Sequence, residues 1–428
     1  VNGSTFEPDD EILFKRGETW TGTTLTVPSS GVVGHPITFG AYGTGALPLI
    51  DGNDAVLSCI NTNGMDYLIF ENIATAQGLS YGFYINASDY ITMTDCESSD
   101  CGSDNVKVEG GAHHVSILGG TYYDVYERVP PVCGGNIDCE EDCHDILIDG
   151  VESYGANGSD THGINFHNHV GTNMMYNITI QNCTVYNNSH SGIYVWKQDD
   201  TANANLNVLV AGNTCYNNGA HEINVLSSGA AKLRGITIRD NICRNTAGAG
   251  VRAIRTRDIQ DAEIYRNLFH ADRVLPVWIE DNVDADWWNN TIYTTAAVTS
   301  SWLVWIQGAD TENLVFQNNI IEAEDTSPYM INIVVGTGVL GLDIDYNLYG
   351  YTGVGTRWTW LGAAKTWASW KTDSGQDANS PTPADPLFTN PGAGDFTLQA
   401  GSPAINAGVD VGLSYCGTAP DCGAYERC

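Results

Sequence analysis

Short alternations of apolar and polar residues recur along the chain, each broken by Asn, Gly or a small residue and followed by another apolar pair. ITIQNCTVY, VLVAGNTCY and ITIRDNICR are three copies of this pattern. Their central positions are Asn72, Cys96, Gly120, Gly150, Cys183, Asn213, Asn241, Asn267, Asn290, Asn319 and Asn347, 23 to 33 residues apart, which defines eleven coils. Periods of this length mark stacked repeats, in which each unit buries its apolar face against its neighbours. A further alternating strand precedes each turn (NVKVE, HGINFH, GIYVW, HEINV, GVRAI, PVWIE). Because strand side chains alternate between faces, one set fills the interior and the other forms an outer face. The pattern predicts an all-β chain: a parallel β-helix, or solenoid, of about eleven coils with terminal caps.

Asparagines at one turn position can hydrogen-bond from coil to coil as a ladder, a structural role. Cys215 and Cys243 stand where other coils carry Val185, Phe269 and Ile321, so they are expected as core thiols or a coil-to-coil disulfide. Open solenoid ends expose sheet edges and need caps. The expected layout is a single domain over residues 1–428. Residues 1–50 form an N-terminal cap and first coil, 51–349 the central coils, and 350–428 a C-terminal cap with a disulfide-rich tail. Leu361, Ala364, Trp367 and Trp370 lie at helical spacing and predict a short capping helix over Trp360–Lys371.

Charge narrows the partners. The 428 residues include 18 basic and 51 acidic side chains, a net charge of −33, which argues against nucleic acid and anionic membrane surfaces. No apolar run is long enough for membrane insertion. The balance suits an extracellular protein that binds divalent cations. Twelve cysteines, several clustered (Cys96/Cys101, Cys133/Cys139/Cys143, Cys416/Cys422/Cys428), lack the two-residue spacing of a zinc knuckle. They point to disulfides in an oxidising compartment. The chain opens on Val1, as removal of a secretory leader would leave it, so a secreted location is expected. Sequons at Asn2, Asn86, Asn157, Asn177, Asn182, Asn187 and Asn289 permit N-glycosylation in a eukaryotic host.

Aligning the outer-face strands places Tyr84, Lys107, Asn165, Tyr194, Asn224, Arg252 and Trp278 in one row, and Asn86, Glu109, His167, Trp196, Leu226 and Glu280 in the next. Aromatic faces among hydrogen-bonding groups suit the sugar rings of an extended polysaccharide. Nine of the 18 basic residues lie between Lys232 and Arg273, with Arg252, Arg255 and Arg257 around one strand end. Guanidinium groups bind carboxylates or sulfates with paired hydrogen bonds, so these arginines suit an anionic glycan and, equally, pairing with the protein's own carboxylates. Asp199 and Asp200, at a strand end, are candidate ligands for calcium. The cysteine-bearing segment YERVPPVCGGNIDCEEDCHD is expected as a loop that walls this groove or clips the fold.

Three segments resemble bacterial pectate-lyase-like right-handed parallel β-helix proteins: DDEILFKRGETWTG near the start, TWASWKTDSGQDANS with DPLF at residues 366–388, and GDFTLQAGSPAINAG with DCGAYE near the end. That resemblance implies a polysaccharide lyase or glycoside hydrolase. Lyase chemistry on a uronic acid needs the carboxylate neutralised and a base for the C5 proton. One arrangement has Tyr194 or His167 as base, with Arg252 and Asn165 on the carboxylate. Another has Lys107 or Lys197 as base. Trp196, Asn224, Glu222, Arg255 and Trp278 would bind substrate. The alternatives are an inverting hydrolase with paired carboxylates, drawn from Asp199, Asp200, Glu222, Asp258 and Glu280, and a non-catalytic glycan-binding or structural protein that forms oligomers or filaments.

Overall fold

The computed structural model describes residues 1–126, 134–168, 175–198, 205–228, 231–245, 252–271, 276–295, 302–324, 329–335, 341–351 and 355–428. The chain is a parallel β-helix that forms two compact units. The first comprises Val1–Leu209, Asn213–Gly219 and Ser228–Ala230, and the second Val210–Gly212, Ala220–Ser227 and Ala231–Cys428.

In the first unit each coil adds a strand to three parallel sheets. The first sheet contains Glu11–Lys15, Ile37–Tyr42, Leu68–Glu71, Ile91–Thr94, His113–Leu118, His144–Asp149 and Tyr176–Gln181. The third contains Leu25–Thr26, Ser58–Asn61, Tyr81–Asn86, Asp104–Glu109, Gly134–Glu140, Thr161–Asn168 and Ile193–Lys197. Register is set by the inward column: Leu68, Ile91, Val115, Ile146 and Ile178 stand in line and are buried. A one-residue slip would turn that column outward, at about 1.5–3 kcal/mol for each large apolar side chain exposed.

The second unit carries the expected asparagine ladder. Asn241 donates to Asn267 Oδ1 (2.9 Å), and Asn267, Asn290 and Asn319 donate in turn to Asn290, Asn319 and Asn347 (3.0 Å each). Each Nδ2 also reaches a backbone carbonyl of another coil; for Asn290 this is Ile264 O at 2.9 Å. All five are buried, so the ladder satisfies donors and acceptors that the turns would otherwise strand.

Three sequence expectations are corrected. The capping helix is Trp367–Ser374, shorter than expected, because Trp358–Trp360 and Ala363–Lys365 pair as an antiparallel hairpin. Leu361 and Gly362, both in the left-handed region (φ 50 and 80), make its turn. Thr366 then caps the helix, accepting from Ser369 N, while Ser369 Oγ accepts from Thr366 N. Second, the one disulfide among the described residues is Cys416–Cys428; Cys59, Cys96, Cys101, Cys139, Cys143, Cys183, Cys215, Cys243 and Cys422 are buried thiols. Cys215 and Cys243 are thus core thiols, and Cys133 lies outside the described residues. Third, Gly134–Glu140, expected within a loop, is a full strand of the third sheet. Asn289 of the last sequon is buried and donates to Asp421 O at 2.8 Å, so it is not presented as a glycan acceptor.

Candidate active site

The third sheet of the first unit aligns Lys107, Asp138, Asn165 and Tyr194 in one row, with Glu140, His167 and Trp196 in the next. Val106, Ile137, Ile164 and Ile193, one residue earlier, face the core. Alternation therefore turns the polar row to the other side of the sheet.

Four charges close a ring there. Lys107 Nζ lies 2.5 Å from Asp138 Oδ2 and also contacts Glu140 Oε2. The His167 ring spans the other oxygens of the same carboxylates, Nδ1 at 3.1 Å from Asp138 Oδ1 and Nε2 at 3.3 Å from Glu140 Oε1. Asn165 Nδ2 donates to Asp138 Oδ1 at 2.8 Å. The Lys107, Asp138 and His167 side chains are at most 4% exposed, whereas Glu140 is 24% exposed and forms the open edge.

Burial alone would neutralise these groups, and their mutual attraction overrides it. For His167, burial opposes the charge, but Asp138 and Glu140 raise its pKa to about 10. For Lys107, burial is likewise outweighed, chiefly by Asp138, and the ammonium is held well above its usual value. Burial opposes ionisation of Glu140, yet His167 and Lys107 bring it to about 2; Asp138 is depressed against its own burial by Lys107 and His167. Asp104 behaves oppositely: burial and the neighbouring Asp138 raise it to about 7. It accepts from Gly135 N and Ser103 Oγ, both at 2.9 Å. At neutral pH the ring holds two cations against two carboxylates, with a carboxyl poised to exchange a proton beside it.

Tyr194 stacks on His162, with centroids 4.2 Å apart and planes within 1°. Burial lowers His162 to about 4, so this imidazole is neutral. Trp196 Nε1 donates to Ser228 Oγ (3.1 Å), and Lys197, paired with Asn168, is buried.

The second unit gathers the other candidates. Asn224, Arg255, Trp278 and Trp305 stand in one row, so Arg255, not Arg252, occupies the position the sequence alignment assigned. Arg252 pairs in register with His221, three residues before Asn224. Both guanidinium groups nonetheless lie over Trp278, Arg252 at 4.2 Å and Arg255 at 4.1 Å from its centroid. Arg255 Nη2 also bonds Glu280 Oε2 at 2.8 Å, so this arginine pairs with the protein's own carboxylate. Burial, then Arg255, lowers Arg252 to about 10, still a cation at neutral pH. Glu222 is fully buried, which removes it from the exposed face expected for a substrate contact. Asp199 and Asp200 lie outside the described residues.

Sequence reasoning found Lys107, Asn165 and His167 and missed Asp104, Asp138 and Glu140. The signal was present: NIDCE has the alternation of NVKVE, but it sat in a segment dismissed as a loop. Among the described residues, Asp138–Glu140–His167 and Asp160–His162–His190 are close-set groups of metal-ligand composition. The first does not fit calcium, which takes six to eight oxygens; its carboxylates are already shared by Lys107 and His167.

A family model described as right handed beta helix region matches residues 162–341. The stacked parallel coils have the same β-solenoid architecture. No curated protein matches. Among solved structures the chain is similar to pectate lyase Pel9A, at 17% identity over 99% of this chain and 89% of that one (TM-score 0.43). It is also similar to the Streptococcus pneumoniae surface protein and adhesin PfbA, at 12% identity over 82% and 90% (TM-score 0.46). A third is the Azotobacter vinelandii mannuronan C-5 epimerase AlgE4 A-module, at 12% over 80% and 89% (TM-score 0.35).

Proposed function

We propose that this chain is a secreted carbohydrate-active enzyme that cleaves an extended uronate polysaccharide by β-elimination. The observation that carries the reading is the charge ring, in which Lys107 and His167, both protonated, converge on one pair of carboxylates whose outer member, Glu140, is open to solvent. A uronate carboxylate arriving at that edge takes the place of Glu140 on the two cations. Asp138, buried beneath and held by Asn165, remains as their counter-ion. Two cations on the bound carboxylate stabilise the charge that develops when the C5 proton leaves. Tyr194, next to Asn165 in the row, accepts that proton as its phenolate; the C4–O4 bond breaks, a C4=C5 double bond forms, and the phenol so formed passes the proton to the departing O4, which restores the phenolate.

A second reading has its own support. Asp104, raised to about 7, neighbours the depressed Asp138, and carboxyl groups pushed apart in pKa are the acid and base of inverting hydrolysis. Mixing the protein with a panel of polyuronates separates the two. Growth of the ultraviolet absorbance of an unsaturated uronate supports elimination. New reducing ends with a flat ultraviolet trace support hydrolysis. Neither signal on any substrate overturns both and leaves a binding or structural protein.

A further inference from the structure

We propose that His113 and His114 form a binding site for a divalent transition-metal ion of the zinc class, apart from the charge ring. Consecutive side chains of an extended strand point to opposite faces. Here His114 takes the left-handed conformation (φ 56), which swings its ring back, and the two Nδ1 atoms face each other at 2.8 Å.

Two imidazole nitrogens that close share one proton or one metal ion. His113 Nε2 lies 3.0 Å from Asp89 Oδ2. That carboxylate fixes the proton on Nε2 and leaves the Nδ1 lone pair pointing at His114, the carboxylate–histidine arrangement that supports metal ligands. With metal–nitrogen bonds of about 2.0–2.1 Å a tetrahedral ion needs its donors about 3.3 Å apart, so the two rings move about 0.5 Å from their 2.8 Å contact to admit it. Asp145 supplies a third donor, its Oδ2 lying 3.9 Å from His114 Nδ1. This carboxylate is itself oriented by His144 Nδ1 and Asn177 Nδ2, each at 2.7 Å. The His113, His114 and Asp145 side chains are 26%, 44% and 28% exposed, so an ion can enter and water can complete its shell.

The two tighter clusters are less suited. Asp138–Glu140–His167 already holds the Lys107 ammonium. In Asp160–His162–His190, the Ser191 N–H points at His162 Nδ1 (3.3 Å), which pins the proton on Nε2, the nitrogen that faces Asp160.

The test is calorimetric titration of zinc into chelator-treated full-length protein. His114→Asn preserves the backbone, because Asn tolerates the left-handed region; His113→Gln removes the other donor. Expected are binding by the wild type, its loss in either variant, and its retention in His190→Gln and in the surface control His35→Gln. Asp89→Asn should weaken binding about 10–100-fold, as loss of an orienting carboxylate does. Circular dichroism and the melting temperature of the metal-free variants confirm folding. Absence of wild-type binding overturns the proposal. So does binding that survives His113→Gln and His114→Asn, or that is lost in His190→Gln.

Discussion

Replacing Lys107 by Met removes the ammonium while keeping an unbranched apolar stem in its place. The Lys107 side chain is 4% exposed and that of Asp138 is fully buried, so the change leaves two carboxylates in a dry site with His167 as their one remaining cation. Removing one partner of a buried ion pair costs about 3–5 kcal/mol, since the charge left behind can neither be hydrated nor compensated. The loss should be read from urea unfolding midpoints of variant and wild type at neutral pH. It should shrink in mildly acid buffer, where Asp138, no longer held ionised by Lys107, takes up a proton. Adding Glu140→Gln restores a balanced His167–Asp138 pair and should recover part of the loss. A Lys107→Met protein within about 0.5 kcal/mol of wild type, the range of ordinary surface substitutions, would refute the closed charge ring.

Three further outcomes are expected. His167 is raised from 6.5 to about 10, so its contribution is fully present below pH 6.5 and is lost as pH rises through about 10. Glu140 is lowered from 4.5 to about 2, so its contribution is present above pH 4.5 and is lost as pH falls through about 2. Asp104, raised from 3.8 to about 7, keeps its proton in the folded state and lowers stability as pH rises between those values. Thermal melts across pH should therefore show an alkaline decline that His167→Gln flattens. Asn290→Ala strands Asn267 N and removes one partner each from Asn267 Nδ2, Ile264 O and Asn319 Oδ1, the last still held by the residue 290 backbone N–H; at about 1–3 kcal/mol for a buried unpaired group it should cost about 1–3 kcal/mol in chemical denaturation. Thr366→Ala removes the helix cap and should cost about 1 kcal/mol by the same assay.

The coils were legible because their causes are local. Alternation at period two and a turn residue every 23 to 33 positions state both the strand and its inward face, and the asparagine ladder follows from a shared position. The charge ring was half legible. Lys107, Asn165 and His167 could be aligned from NVKVE and HGINFH, but Asp138 and Glu140 lay in the cysteine-bearing segment expected as a loop. Pairing across coils also depends on where each strand begins, which is why Arg252 was placed three residues from its true register and Arg255 missed the row. Of the cysteine clusters, Cys96/Cys101 misled because closeness in sequence does not by itself bring side chains together, whereas Cys416/Cys422/Cys428 does hold a disulfide. Cys96 and Cys101 are both buried and unpaired, and the bond that does form joins Cys416 to Cys428.

The most direct test of the proposed chemistry is the rate of ultraviolet absorbance growth on polyuronates by the wild-type protein and by Tyr194→Phe, whose ring can still stack on His162. Elimination with Tyr194 as base predicts a growing signal for the wild type. It also predicts a kcat lower by about 10²–10⁴-fold in the variant, the usual worth of a positioned acid or base, with KM little changed. A wild-type protein that produces no unsaturated product from any polyuronate, or a variant that keeps full kcat, would contradict it.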